Sequence, residues 1–569
     1  MRRVFIVLVE AGGIQPFVFD TDKRRENVGA SQLVHEFGTT WVDDAIAELQ
    51  LVTGPIETAM VEKVVATAGR LTLLVDDGDL GRRFVTALTM RALREAPGLD
   101  VCGVVTGSFE WEDPGGPGNP PVHQAIQHAN ALLPEVRARR PGPELRFMRL
   151  PPVDECRSSG LPAKSVDHRG DPKSAPSLAR LAAAGRALDR LAGALGQDRD
   201  ELEAVLDHLA QPDEVDGVLD RSAREAVWVG VVHADGNGVG RLFRDFGAHA
   251  ATVKSGIAPN RGYVDALRAF SQALDACAER ALVSALAVVP PTELDRRDRA
   301  GKAPTTVVVP TVLPLVVGGD DLTVLCDGAS ALRFAQSFLR AFEHQTESEP
   351  AVARIAQAAT GSARLGASAG VAIVKPHFPF AAAYVLAEDL LRRAKVVKRL
   401  VSTPCSALDF HVHHDPSGGD LGQIESRLRP VAERQQGSPR GETSPKGTKL
   451  WGGPYIVTGS DRLPDGEAWC ERHLWEGLER RVAALGARDP GTGRLRLPGS
   501  HTHDLRQALF LGRLAADRRL RYITPRYGDG LAALMAGDGT LFWREEDGWV
   551  TGLLDAMDAS AFLRAPVAP

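Results

Sequence analysis

The sequence predicts an α+β protein: two ferredoxin-like domains, a helical connector between them, and a linker leading to a helical C-terminal region. Two stretches alternate short β-branched runs with helical patterning in a similar order, and Pro/Gly-rich text separates them. Helical spacing without strand patterning returns only near the C-terminus. The expected boundaries are 1–110, 111–224, 225–415 and 416–569. At ~150 residues per domain, 569 residues agree with three to four units.

In the first domain, residues 3–9 (RVFIVLV) form a run of buried-strand length. Helical patterning covers about 29–49. A strand at 72–75, the turn Asp76-Asp77-Gly78-Asp79, a helix at 81–95 and a strand at 100–105 follow, fitting a sheet with helices on one face. The connector holds the loop EWEDPGGPGNPP (110–121), a weakly apolar segment (160–177) and a helix at 177–195. The second domain opens with VWVGVVHAD, ending in Asp235. Helices at 238–246 and 261–284, strands at 305–317 and 322–326, a helix at 329–343, a strand at 367–374, a helix at 379–399 and a strand at 406–413 complete it. The shared order suggests duplication. After the polar stretch 437–449, apolar spacing at 474–485 and 504–515 predicts helices.

A net charge of −6 argues against bulk coating of nucleic acid or anionic membrane, though a local basic groove fits. Six cysteines without a Cys-x-x-Cys pair write neither a disulfide scaffold nor a zinc ribbon, so a reducing cytoplasm is expected. No run of 18 apolar residues is present, so no membrane partner is expected.

The strongest chemical signal is LPLVVGGDDLTVLCD (313–327): two apolar strands joined through Gly318-Gly319-Asp320-Asp321. The glycines suit a hairpin and a close phosphate, and the acids offer hard oxygens to a divalent ion. Asp235 ends a strand and precedes Gly236-Asn237-Gly238-Val239-Gly240, a glycine-rich turn opening a helix. If the hairpin lies beside that strand, Asp235, Asp320 and Asp321 converge on two Mg²⁺ or Mn²⁺ ions. His411 and His413 in HVHHD (411–415) and His501 and His503 in GSHTHDL (499–505) have no constellation of carboxylates around them in the sequence and read as solvated.

ADGNGVG (234–240), GGDD (318–321) and SAGVAIVKPHFPFAAAYVLAEDLLRRAK (368–395) together resemble the second palm domain of the polymerase-like large subunit of type III CRISPR effectors, the Cas-ten or Cmr-two family. EAGGIQPFVFDTDKRRENVGASQLV (10–34) resembles that family's first palm, which usually lacks metal acids. The resemblance implies two palm domains and two-metal condensation of ATP into cyclic oligoadenylate. It assigns metal to Asp235, Asp320, Asp321 and the Gly236 carbonyl. Nucleotide contacts fall to Gly236, Asn237, Gly238, Gly318, Gly319 and Lys395, the last facing the triphosphate. Asn237 stands where many relatives have a second acid. The family's His-Asp nuclease domain finds only Val34-His35-Glu36 nearby, so DNA cleavage is not expected. ECRSSGLPA (155–163) resembles a zinc-site remnant with Cys156 alone, so no zinc is expected. In the first domain, Asp76–Asp79 is expected at the catalytic hairpin's position, with Glu10 a lone strand-end acid and the site idle.

The resulting expectation is a nucleotidyltransferase making a cyclic or short oligonucleotide messenger in antiviral defence, with NTPs as substrate and a messenger-sensing effector downstream. RNA or CRISPR-type effector subunits are further candidate partners, although near-neutral charge tilts toward a stand-alone role. The alternatives are a quiet nucleotide- or RNA-binding scaffold and a mononucleotide or dinucleotide cyclase. Base choice, ring size, activator and oligomeric state stay open.

Overall fold

The computed structural model describes residues 2–116, 118–167, 169–210, 228–251, 259–296, 305–415, 420–430, 447–463, 468–537 and 539–563. The first domain runs β1 (Arg3–Gly12), α1 (Arg24–Gly38), α2 (Thr40–Glu48), β2 (Val61–Thr67), β3 (Arg70–Val75), α3 (Gly78–Glu95) and β4 (Asp100–Val105). Its strands are antiparallel in the order β2-β3-β1-β4, the order of a ferredoxin-like sheet. The connector supplies α4 (Pro121–Ala138), α5 (Ala175–Leu195) and α6 (Arg199–Leu209).

The second domain runs β5 (Val229–Gly236), α7 (Pro259–Leu286), β6 (Val312–Gly318), β7 (Asp321–Asp327), α8 (Gly328–Ser348), β8 (Ala367–Val374), α9 (Phe380–Ala394) and β9 (Ala407–Val412). Its order β6-β7-β5-β8 repeats the first sheet strand for strand. Beyond β8 the sheet continues through β9 to β10 (Tyr455–Ile456), which comes from sequence after 416. The C-terminal region holds helices Trp475–Gly486, Gly499–Leu511, Arg513–Leu531 and Leu553–Leu563, and a small three-stranded sheet. Among the described residues no helix is long and apolar enough to cross a membrane.

Several elements differ from expectation for local reasons. The helix expected over 29–49 breaks at Thr39 (φ −122°, ψ −90°), giving α1 and α2. β2 was hidden because a bulge between Lys63 and Val65 interrupts its period-two alternation. The strand expected over 305–317 divides after Pro310, which has no N–H to continue a ladder. Thr305–Pro310 pairs instead with Pro291–Arg296 in a separate ribbon. The helix expected over 379–399 ends at Ala394, and a short turn, Val397–Leu400, follows.

The sheets are buried on both faces, not one. Along β1, Val4, Ile6 and Leu8 enter one core while Val7 and Val9 enter another. Along β5, Val232 and Ala234 join the first core and Val229 and Val231 the second. Burial on both sides explains why both strands read as unbroken apolar runs. Both cores pass through both domains, so the sheets share their packing.

Two ionic clamps hold elements around the site. On α7, Arg261 reaches Glu62 at 2.6 Å and Glu57 at 3.0 Å, and Arg268 also pairs with Glu62, which is buried in β2. In the second domain, Arg393 of α9 binds both oxygens of Asp409 on β9 and reaches Glu425 at 2.7 Å. Asp409 is 1% exposed, so removing its partner leaves a buried charge alone. Arg393→Ala is expected to destabilise the fold by ~3 to 5 kcal/mol in urea unfolding.

Candidate functional site

β5 is central in the second sheet: Asp235 stands opposite Asp321 on β7 and opposite Ser368 on β8. Directly opposed residues share a face, so register alone brings the strand-end acid and the hairpin acid together. Gly318 pairs with Asp321, leaving Gly319 and Asp320 as a two-residue loop. Gly319 has φ +62°, which explains a glycine there. The Asp320 carbonyl accepts the Gly236 N–H at 3.0 Å. A Cβ on Gly236 would lie 2.7 Å from Asp320 Cβ and 2.9 Å from its Oδ2. Gly236 therefore lets the hairpin seat against β5.

The site is rich in carboxylates and short of cations. Lys395 Nζ forms an ion pair with Asp235 Oδ2. Burial, then the neighbouring Lys398 charge, pushes Lys395 down to about 8. Asp321 Oδ1 is sealed from solvent without a hydrogen-bond partner. His233 Nδ1 lies 3.5 Å away, but burial pushes that imidazole down to about 4 and keeps it neutral at pH 7. Burial raises Asp320 to about 6. Burial, then the charges of Asp320 and Glu388, raises Asp321 to about 7. Asp275 on α7 accepts the Gly319 N–H, and burial raises it to about 6.

The hairpin separates two cavities between the domains. One of about 800 Å³ is lined by Asp275, Gly319 and Asp320, with Ala68 and Arg70 from the first domain. The other, about 460 Å³, is lined by Asp321 and Val317, with Glu10, Arg137 and Arg190. The two hairpin acids thus line different cavities. Asp235 and Asp321 share a face, Asp320 lies on the turn, and Lys395 holds Asp235. Among the described residues no three carboxylate, imidazole or thiol side chains meet as a ready-made metal cluster. Asp320 and Asp321 stand close enough for the charge of one to raise the other, while each lines a different cavity.

The other expected residues are placed as follows. The Asn237 side chain donates to the Cys405 carbonyl at 3.0 Å and accepts from Ser368 Oγ at 2.9 Å, bracing the sheet. Gly238, with φ +80°, caps the short helix Val239–Arg244. In the first domain, Asp76–Asp79 does not occupy the hairpin position. Asp77 caps α3, its Oδ1 accepting the Asp79 N–H at 3.0 Å. The corresponding hairpin is Thr67-Ala68-Gly69-Arg70, where Arg70 stands opposite Glu10 and ion-pairs with it at 3.1 Å. Cys156 lies 3.3 Å from Ser158 Oγ. His503 contacts Gln507, and His411 and His413 stack edge to face. Asp275, His233, Arg70 and Arg190 escaped the sequence reading. Only Asp275 carried a signal, an acid beside the apolar stripe Phe270, Leu274 and Ala278 of α7.

Residues 228–400 match the family model described as Cas10/Cmr2, second palm domain. Over those residues the chain is similar to that second palm domain. The first sheet's identical strand order makes the architecture one of two palms. Among solved structures, the chain is similar to Csm1 from T. onnurineus at 13% identity, covering 99% of this chain and 70% of that one, with a TM-score of 0.47. It is also similar to a Csm1–Csm4 cassette in complex with cA3, at 14% identity, 99% and 70% coverage and a TM-score of 0.45. A Csm1–Csm4 cassette in complex with AMPPNP gives 12%, 99%, 70% and 0.45. No curated protein matches.

Two outcomes follow from the geometry of the second palm. Folded Asp320 and Asp321 hold protons up to about 6 and 7, against ~4 for an unfolded carboxyl. Their contribution is therefore full below pH ~4 and lost as pH rises through 6 to 7. In chelator, Tm is expected to fall over this window, and Asp320→Asn with Asp321→Asn to flatten that fall, measured by calorimetry. Gly236→Ala is expected to displace Asp320 and lower Tm by an amount equivalent to ~1 to 3 kcal/mol.

Proposed function

We propose that the protein is a metal-dependent nucleotidyltransferase that condenses nucleoside triphosphates, ATP foremost, into a cyclic or short oligonucleotide messenger for antiviral defence. The observation that carries this reading is the in-register pair Asp235 and Asp321, beside the Asp320 turn, at the junction of two inter-palm cavities. Cavities of this size suit nucleotides, and one on each side of the hairpin gives room for two substrates.

The donors present fit hard divalent cations. Asp321 has a sealed oxygen with no hydrogen-bond partner; burial raises both hairpin acids, and the Asp320 and Glu388 charges raise Asp321 further. Asp235, Asp320, Asp321 and the Gly236 carbonyl would hold Mg²⁺ or Mn²⁺. Bound there, the ions would activate the attacking ribose hydroxyl and neutralise the pyrophosphate leaving group. Lys395, charged at pH 7, offers its ammonium to substrate phosphate once Asp235 has another counter-ion. Residues of both palms line each cavity. A product so made would serve a messenger-sensing effector.

Incubating the full chain with each labelled NTP and Mg²⁺ or Mn²⁺, then resolving the products, tests this directly. ATP is expected to give oligonucleotide and pyrophosphate. Nucleotide binding without turnover would select a scaffold instead, and a cyclic mononucleotide or dinucleotide a simpler cyclase. Asp320→Ala with Asp321→Ala is expected to abolish turnover without lowering Tm. Lys395→Ala is expected to cost ~10² in kcat/KM, about 2.7 kcal/mol. Lys375, whose Nζ lies 3.9 Å from the centre of the Trp228 ring, is the control that should cost little. The kcat/KM profile should fall above about pH 8 as Lys395 loses its proton.

A further inference from the structure

The two palms can be compared residue by residue through their ladders. In the second palm the central strand sets Asp235 opposite Asp321. In the first palm it sets Glu10 opposite Arg70. Each hairpin closes on the second of these residues, since Gly318 pairs with Asp321 and Thr67 with Arg70. Arg70 therefore occupies the position of a hairpin acid, with the charge reversed.

The surroundings give that guanidinium a use. Arg70 lines the 800 Å³ cavity whose lining also includes Asp275 and Asp320. An anionic substrate entering beside those acids meets repulsion unless a fixed cation receives it. Arg70 is held by Glu10 at 3.1 Å and by the Asn130 side chain, so little side-chain freedom remains to be lost on binding. Glu10 does not neutralise it alone, because the same carboxylate also pairs with Arg137 at 3.0 Å. Arg137 shares Asp100 with Arg146. Three guanidiniums thus stand on two carboxylates, and of the three it is Arg70 that lines this cavity, its charge only partly offset. A planar guanidinium with donors to spare suits phosphate oxygens.

We propose that Arg70 is a substrate-binding residue through which the first palm receives the polyphosphate of a nucleoside triphosphate in the cavity in front of Asp320. This rests on the nucleotidyltransferase reading for its substrate, but the anion site itself can be measured without turnover.

The test uses the full chain, with inorganic tripolyphosphate and adenosine as separate probes in calorimetry and ATP in steady-state kinetics. Arg70→Ala is expected to weaken tripolyphosphate tenfold or more, leave adenosine unchanged and raise KM for ATP more than it lowers kcat. Arg70→Lys, which keeps the charge and the Glu10 pair, should recover part of both losses and controls for folding, with Tm recorded for each variant. Wild-type affinity for tripolyphosphate in Arg70→Ala, or no affinity in the wild type, overturns the inference. Should the wild type process no NTP while Arg70→Ala still loses tripolyphosphate, the anion site stands and the reaction assignment falls. Should ATP be processed equally by both, with equal KM, Arg70 is excluded and the reaction assignment stands.

Discussion

The register of β5 against β7 is the constraint on which the site depends. A slip of one residue would move Asp321 to the other face of the sheet and seat a different pair opposite Asp235. Burial of β5 on both faces prevents this, because each alternate residue belongs to one of two cores. The acid pair at the strand end is thus held by apolar contacts along its length. Gly236 completes the arrangement by allowing the hairpin backbone close to the strand. Lys395, following α9, adds the one cation that contacts Asp235 among the described residues.

The same backbone frame serves opposite electrostatics in the two palms. The Glu10–Arg70 pair carries its own counter-charge. The Asp235–Asp321 pair does not, and each added buried carboxylate raises the proton affinity of its neighbours. One sheet end thereby carries charges of both signs, while the ladder pair at the other carries carboxylates alone. A change of residue type at two ladder positions suffices for this difference, with no change in strand order.

Much of the second palm was legible because its signals are local. The Gly318–Asp321 hairpin announces a positive φ and a turn, and VWVGVVHAD announces a doubly buried strand. The opposition of Asp235 and Asp321 followed from expecting the hairpin beside that strand. The first palm was less legible because another short string of aspartates and glycine did a different job. Asp76-Asp77-Gly78-Asp79 looks like a metal turn, but it precedes a helix and caps it. The true counterpart, Thr67–Arg70, contains no acid, and the bulge in β2 concealed the hairpin leading to it. Separation of Asp320 and Asp321 into different cavities could not be read either, since it depends on how the hairpin end sits between two domains. Arg190 shows the same limit: a connector arginine comes to line the cavity that Asp321 also lines only through tertiary packing.

The long helix α7 has a mechanical meaning beyond its packing. Its 28 residues make a rod of roughly 42 Å at the usual helical rise. Near its start, Arg261 and Arg268 fasten it to Glu57 and Glu62 of the first palm; further along, Asp275 grips the Gly319 amide at the tip of the second palm's hairpin. The rod therefore behaves as a lever with one end bolted to one palm and its shaft touching the hairpin turn of the other. Tilting the first palm transmits displacement to that turn unless an ionic clamp opens or the helix bends. The separation between palms and the posture of the hairpin are consequently one degree of freedom rather than two.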